Sequence, residues 1–204
     1  MSLELLLIIV LLVGFVCFVC GWFWHARYVS HQSDTYTPPI TKVVTNSYLR
    51  RLSPSEGVPL GATNGSRIIA EATDIFIGWI DPDFRNYRAD ESGATTKPAL
   101  ADVYEISRDG NLKYLLGFLS SDSKSLALTQ DQIIDFVEKN PEYLHPKGGG
   151  TFFLFESHKK LFVAFVLRGD SGKLKASVYH FANVNVCFAE HRPRLVVLRT
   201  GLIL

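Results

Sequence analysis

The sequence predicts an α+β protein, with one N-terminal transmembrane helix followed by a small domain of antiparallel sheet covered by about two helices. Three observations indicate this fold: an apolar run over residues 5–24, a strong helix start at Thr129, and a C-terminal series of apolar segments separated by turn residues. We divide the chain into a single transmembrane anchor (residues 1–28), an extended polar tether that contains prolines (29–65) and the α+β domain (66–204).

Composition and charge exclude several classes of protein. With 47% hydrophobic and 20% charged residues among 204, the chain is too apolar to be disordered. Lysine and arginine number 21 against 20 aspartate and glutamate residues, and this balance leaves no broad basic surface for nucleic acid. Three cysteines, two of them inside the apolar run, do not make a disulfide framework. We therefore expect a folded domain that binds no nucleic acid.

The apolar run over residues 5–24 has the length and composition of a membrane-spanning helix. It contains neither a charge nor a proline, and fourteen of its twenty residues are Leu, Ile, Val or Phe. Such a helix is about 30 Å long, which matches the hydrocarbon core of a bilayer. A cleaved signal peptide would begin with basic residues and end in small ones, whereas this run follows Glu4 and ends in Trp22, Phe23 and Trp24. We therefore expect a retained anchor.

Two features of the anchor predict its orientation and its partners. Arg27 follows the run and no lysine or arginine precedes it, so the positive-inside rule puts the domain on the cytoplasmic side. Gly14, Cys17 and Gly21 recur at three- and four-residue steps, which aligns small side chains on one face where another helix can approach. We expect this face to contact other membrane-protein subunits within the lipid bilayer.

Helical spacing predicts two helices before residue 100. The first is short, covers residues 44–52 inside the tether, and is ended by Ser53-Pro54. The second is amphipathic, covers residues 68–80, and is closed by Asp81-Pro82. Gly78 and the β-branched residues of the second segment favour a strand instead, so that alternative stays open.

The next two elements are a hairpin and a helix. The Asp-Gly pair within residues 108–111 separates the apolar segments 103–107 and 112–119, which predicts a β-hairpin. Thr129 is then a helix N-cap, and Gln132 is its capping-box partner three residues later. The buried face of this helix is predicted to consist of Ile133, Ile134, Phe136 and Val137.

The remainder of the chain predicts a β-meander. Its strands span residues 151–156, 161–167, 173–181, 184–188 and 195–199. The order helix, hairpin, helix and antiparallel strands over residues 66–199 resembles the cone-shaped fold of nuclear-transport-factor-2-like domains, a resemblance in topology without a shared motif. It implies a cone-shaped pocket, and the residues that we expect to line such a pocket are Phe76, Trp79, Tyr179 and His180.

No pattern in the sequence predicts a catalytic, cofactor-binding or metal-binding residue. Residues 169–172 imitate the nucleophile motif of chymotrypsin-like proteases, but between two strands Gly, Asp and Ser are turn residues. The glycines at 148–150 precede a strand, whereas a phosphate-binding loop precedes a helix. No histidine pairs with another His, Cys or carboxylate at metal-ligand spacing. The mixed charges around Phe84 are typical of a solvated face.

The C-terminal strand is locally basic, because it contains His191, Arg192, Arg194 and Arg199. These cations favour contact with anionic lipid or with an acidic partner surface. The apolar tail over residues 201–204 is too short to span a membrane, so we expect it to be buried against a partner or against the core of the domain.

These observations favour a non-catalytic, single-pass membrane-anchored subunit or assembly factor of a larger membrane protein complex, without a cofactor. The alternative is a membrane-tethered domain that binds a small ligand or acts as an enzyme through the predicted pocket. A third possibility is a filament subunit, since Glu4 at the head of the apolar helix resembles type IV pilins. The basic leader ending in glycine of those proteins is missing here, which weakens that resemblance.

Overall fold

The folded part of the chain is built on one mixed sheet of eight strands. The computed structural model describes residues 48–146, 148–184 and 187–200. The strands are β1 (Leu49–Arg51), β2 (Val58–Leu60), β3 (Trp79–Ile80), β4 (Ala99–Ile106), β5 (Gly150–Ser157), β6 (Lys160–Arg168), β7 (Leu174–His180) and β8 (Arg194–Leu198). The α-helices are α1 (Asp83–Asn86), α2 (Leu112–Gly117) and α3 (Gln130–Lys139). The sheet order is β1-β4-β8-β5-β6-β7-β3, with β2 also paired to β4, so the predicted α+β class is confirmed.

Two hydrophobic cores lie on the two faces of this sheet. In β5, Phe153 and Phe155 belong to one core while Phe152 and Leu154 contact the other, because successive residues of a strand point to opposite faces. The first core also contains the buried face of α3, and the second contains Leu112, Leu115 and Leu116 of α2. Helices therefore cover both faces of the sheet.

Helix α3 begins as its sequence predicts. The Thr129 hydroxyl accepts a hydrogen bond from the Gln132 backbone N–H at 3.2 Å, and the Gln132 side-chain oxygen accepts one from the Thr129 N–H at 3.0 Å. The capping box is thus complete and satisfies two backbone donors at the helix start. Ile133, Ile134, Phe136 and Val137 are buried, which confirms the predicted face.

The predicted meander is confirmed for three strands and wrong beyond them. β5, β6 and β7 pair antiparallel in chain order. β8 instead lies between β5 and β4, parallel to β5 and antiparallel to β4. The strand predicted at 184–188 is not observed in its described part, since Val184 ends a 3-10 turn and Cys187 forms only an isolated bridge with Gly110.

The amphipathic helix predicted over residues 68–80 does not form. A 3-10 turn occupies Ile69–Glu71, and the segment ends in β3, which pairs parallel with β7. The Ile69 N–H donates to the buried Gln130 side chain at 3.0 Å, and the Gly78 N–H donates to the Leu174 carbonyl at 2.8 Å. Partners distant in sequence therefore take the donors that a helix would have paired internally. The strand alternative is observed only at Trp79–Ile80, the last two residues of the segment.

The hairpin predicted around residues 108–111 is also wrong. The strand before it exists as β4, but the segment after it is α2, whose N-cap Asn111 accepts a hydrogen bond from the Lys113 N–H at 2.8 Å. Gly110 pairs with Cys187 instead of closing a hairpin. Since neither the first helix nor the hairpin forms, the order of elements behind the resemblance to nuclear-transport-factor-2-like domains is not present in residues 66–119.

The N-terminal predictions fall mostly outside the described residues. The anchor, including Gly14, Cys17 and Gly21, lies there, as does the tail 201–204. Within the described ranges, no helix is both long and apolar enough to cross a membrane. The helix predicted over 44–52 is wrong from residue 49 onward, where β1 begins, and the residues before Tyr48 are not described. β1 and β2 both come from the range assigned to the tether, so the sheet takes strands from before residue 66.

Candidate functional site

A cavity of about 530 Å³ opens at the β3 edge of the sheet. Phe76 lines the buried wall of this cavity and exposes only 2% of its surface. Ile77 and Trp79 also line it, but they expose 58% and 47% of their surface. The remaining lining residues are Ala70, Thr73, Gly78, Ile80, Asp81, Pro82, Arg85 and Asn86. The cavity is therefore open to solvent, with large apolar side chains exposed beside polar ones.

The close approach of β3 to β7 positions this apolar pair. A Cβ atom on Gly78 would lie 2.8 Å from the Leu174 carbonyl oxygen, so only glycine fits this position without a shift of the backbone. On either side of Gly78, Ile77 and Trp79 are held where the chain joins the sheet. Ile80 packs against the core, and Trp79, the residue before it, points away from the core because side chains alternate along a strand.

The polar part of the cavity comes from the start of α1. The Asp81 carboxylate accepts a hydrogen bond from the Asp83 N–H at 3.0 Å, and the Asp81 N–H donates to β7 at the Ala176 carbonyl. The Asn86 amide donates to the Asp83 carboxylate at 2.8 Å, and this hydrogen bond lowers the pKa of Asp83. Arg85 is exposed and forms no ion pair with any described carboxylate. Its guanidinium group is therefore available to an incoming partner or ligand.

The four residues predicted to share a pocket are only partly brought together. Phe76 and Trp79 line the cavity, whereas Tyr179 and His180 do not. His180 packs between Tyr87 and Phe162, with ring centroids 4.7 and 5.0 Å away. Tyr179 is exposed on the opposite side of the same strand.

Sequence patterns missed Ile77, Arg85 and Asn86 as lining residues. The Asp81-Pro82 pair did mark the start of a new segment, which is where the polar lining begins. No local pattern distinguishes an exposed Ile77 from a buried one, because its exposure depends on how β3 pairs with β7. The strand alternative for residues 68–80 indicated a sheet edge near Ile77, but no sequence signal indicated Arg85 or Asn86.

A second, smaller cavity of about 260 Å³ is lined by Arg50, Glu105, Ser107, Ala189 and Arg192. Arg50 is already paired with Glu105 at 2.9 Å, so this site is largely a surface ion pair. Among the described ranges, no group of three His, Cys, Asp or Glu side chains is placed to hold a metal. Burial raises the pKa of the Cys187 thiol to about 12, which keeps it a thiol rather than a nucleophilic thiolate.

Three other sequence motifs have structural roles. Residues 169–172 form the turn between β6 and β7, where the Gly169 N–H donates to the Lys173 carbonyl at 2.9 Å, as predicted. Gly150 begins β5, so the glycines before it are a connector to a strand. Within the basic C-terminal segment, the Arg194 guanidinium donates hydrogen bonds to the Glu142 and Leu144 carbonyls. One of the four basic residues of this segment therefore has a structural role.

No protein-family model matches this chain, and neither a curated protein nor a solved structure is similar to it.

Proposed function

We propose that this chain is a non-catalytic, single-pass membrane-anchored subunit or assembly factor of a larger membrane protein complex. The observation that carries the proposal is the exposure of Ile77 and Trp79 beside an open cavity. Exposed apolar groups rimmed by polar residues are typical of a surface that a partner protein covers. The partner that we propose is another membrane-protein subunit, because this chain has a predicted anchor of its own.

The composition of the cavity suits protein contact. Tryptophan and arginine are the residue types that most often dominate the binding energy of an interface, and Trp79 and Arg85 line the same cavity. Trp79 belongs to a paired strand, so its backbone is already ordered before a partner buries the side chain. An apolar centre bordered by Arg85, Asn86 and Thr73 has the general anatomy of an interface core and rim.

The anchor contributes the membrane part of the proposal. A charge-free helix over residues 5–24 would insert with its small-residue face, Gly14, Cys17 and Gly21, against a neighbouring helix. Arg27 on the C-terminal side of the run favours a cytoplasmic domain. Partner contacts in the bilayer and at the cavity would then act together, since joining two sites in one chain raises their effective concentration.

Gel filtration with light scattering, on the full chain extracted from its membranes in mild detergent, tests this proposal. We expect a complex of constant stoichiometry whose protein mass exceeds the 22.8 kDa of the chain. Trp79→Ala should weaken the complex by about 30-fold or more, as expected for a residue at the centre of an interface. Phe188→Ala is the matched control, because it removes an aromatic residue of similar exposure (44%) that does not line the cavity.

Two results would refute the proposal. A monomer, or a complex that Trp79→Ala leaves intact, would refute partner binding at the cavity. Release of the chain from membranes by sodium carbonate would refute the anchor, because a spanning helix resists this extraction.

The cavity volume favours a second candidate, a membrane-tethered domain that binds a small ligand. A volume of about 530 Å³ falls within the range of small-molecule sites, and Thr73, Arg85 and Asn86 offer polar contacts. A ligand should then raise the melting temperature of a monomeric chain, and Trp79→Ala should abolish the shift. Absence of a shift across a library of small anions and aromatic acids would count against this candidate.

A further inference from the structure

We infer that a second surface of the domain binds the headgroup region of an anionic lipid bilayer. This surface, which we call the α2 aromatic surface, consists of Tyr48, Arg108, Lys113, Tyr114 and Phe118. The inference rests on the proposed function, because it assigns a membrane contact to the domain of an anchored chain. It is independent of the cavity at β3, which lies at the opposite edge of the sheet from β1 and the neighbouring Tyr48.

The three rings of the α2 aromatic surface form one contiguous cluster. The centroids of Tyr48 and Phe118 are 5.5 Å apart, those of Tyr48 and Tyr114 are 5.5 Å apart, and those of Tyr114 and Phe118 are 4.7 Å apart. Phe118 exposes 42% of its surface at the C-terminal end of α2. Rings that combine an apolar body with a hydroxyl group are enriched at membrane–water interfaces, where one end is apolar and the other hydrated.

The orientation of this surface is fixed by the packing of α2. Leu112, Leu115 and Leu116 are fully buried in the second core, so the helix is held with Tyr114 half-buried at the edge of that core and with Phe118 exposed. Tyr114 and Phe118 are four residues apart and share one face of α2 and its C-cap. Phe118 is therefore presented outward by a rigid helix, and the half-buried rings of Tyr48 and Tyr114 support it, which reduces the entropy lost on binding.

The charge of the α2 aromatic surface favours an anionic partner. The Arg108 guanidinium lies 5.7 Å from the centroid of the Tyr48 ring, within reach of a cation–π contact. Arg108 and Lys113 are exposed, and neither forms an ion pair with a described carboxylate. The nearest carboxylate in sequence, Asp109, accepts a hydrogen bond from the Ala189 N–H at 2.7 Å. Two cations beside the exposed Phe118 ring match the phosphates and the acyl boundary of anionic lipid.

Chain connectivity favours lipid over a protein as the occupant. Tyr48 is the first described residue, so the α2 aromatic surface lies where the chain enters the domain from the predicted anchor. The 20 peptide steps from Tyr28 to Tyr48 span at most about 70 Å, which keeps this part of the domain within reach of the bilayer. A cytoplasmic domain would meet the leaflet that carries the anionic lipids.

Quenching of tryptophan fluorescence by brominated lipid tests the inference on the full chain in vesicles. The probe is Phe118→Trp in a background in which Trp22→Phe, Trp24→Phe and Trp79→Phe remove the native tryptophans. In vesicles with phosphatidylserine, we expect the probe to lose about half of its emission, because the interface lies within about 10 Å of the bromine atoms. The matched control keeps Trp79 as the single tryptophan, and its emission should not change.

Charge variants separate lipid binding from mere proximity. Arg108→Glu with Lys113→Glu should abolish the quenching, whereas Arg108→Lys with Lys113→Arg should retain it. Vesicles of phosphatidylcholine alone should quench the probe less, and so should raised salt, because screening weakens the attraction to headgroups. Unchanged quenching in the Glu variant would overturn the inference.

The outcomes distinguish this inference from the proposed function. An unquenched probe in a chain that resists carbonate extraction would overturn lipid binding and leave the anchor standing. Quenching of a chain that carbonate releases would support lipid binding and refute the anchor. A probe that responds only in native membranes, and not in protein-free vesicles of the same lipids, would indicate a protein occupant and overturn the inference.

Discussion

Arg199, the residue after β8, forms an ion pair with Asp102 of the neighbouring strand β4. The Arg199 Nε lies 3.1 Å from both carboxylate oxygens, and its Nη2 lies 2.5 Å from Oδ1. Both side chains are only 11% exposed, and Asp102 also pairs with Arg51 at 2.5 Å. Arg199 further donates to the Glu56 carbonyl at 2.6 Å. The arginine at the end of the predicted basic strand is thus a structural residue, not a free cation for lipid.

Removal of this pair should destabilise the domain. Arg199→Ala leaves a largely buried Asp102 with one arginine, and we expect a loss of about 3 kcal/mol in the free energy of unfolding. Arg50→Ala is the control, because the Arg50–Glu105 pair is exposed on the arginine side and should contribute less than about 1 kcal/mol. Urea unfolding followed by circular dichroism measures both. Equal losses in the two variants would contradict the structural role of Arg199.

Gly78→Ala should disrupt the candidate site more than the whole fold. The added Cβ would meet the Leu174 carbonyl at 2.8 Å, so β3 must move away from β7 and carry Ile77 and Trp79 with it. We expect a loss of about 1–3 kcal/mol in stability, together with loss of partner binding. Gly117→Ala is the control, because its Cβ would have no neighbour within 4 Å, and alanine favours the helix. Partner binding that survives Gly78→Ala would argue against a site at β3.

The turn between β5 and β6 offers a stabilising substitution. His158 and Lys159 both have positive φ, 47° and 62°, although neither is glycine. Lys159→Gly removes steric strain in the left-handed region, so we expect a gain of about 1 kcal/mol in the free energy of unfolding. Lys160→Gly, one residue later in regular strand, should instead cost about 1 kcal/mol. Thermal denaturation compares the two, and a lower melting temperature for Lys159→Gly would contradict the prediction.

His145 should make stability depend on pH. Burial, and then the positive charge of Arg194, lower the pKa of His145 from its ordinary 6.5, against opposing effects of Glu105 and the His191 carbonyl, while the His191 charge lowers it further. The His145 Nδ1 accepts a hydrogen bond from the Gly149 N–H at 3.1 Å, which requires the neutral ring.

The sign follows from proton binding. Because the unfolded chain takes up the proton at a higher pH than the folded one, the free energy of unfolding falls as the pH drops below 6.5 and levels off below the folded-state pKa. His145→Asn keeps an acceptor for the Gly149 N–H but cannot titrate, so its melting temperature should change less across this range. Parallel profiles for the two proteins would refute this role of His145.

Elements that depend on neighbours in sequence were predictable from the sequence. The capping box of Thr129 and Gln132 closes within three residues, and the turn at 169–172 closes within five. The alternation of Phe153, Leu154 and Phe155 is a property of the strand itself. These interactions keep their partners in any fold that the rest of the chain adopts, so local patterns sufficed.

Tertiary contacts decided the elements that the sequence misassigned. Gly110 and Cys187 pair across 77 positions, so the Asp-Gly signal formed no hairpin, and Asn111 capped a helix instead. The Gly78 N–H donates to the carbonyl of Leu174 in β7, which is far from it in sequence. Because of this contact, the segment with helical spacing ends in an edge strand on which Trp79 is exposed. The sequence alone determined α3 and the β5–β7 meander, and the anchor over residues 5–24 stays a prediction. Only the tertiary structure decided which apolar residues remain exposed, because exposure depends on what distant strands and helices leave uncovered.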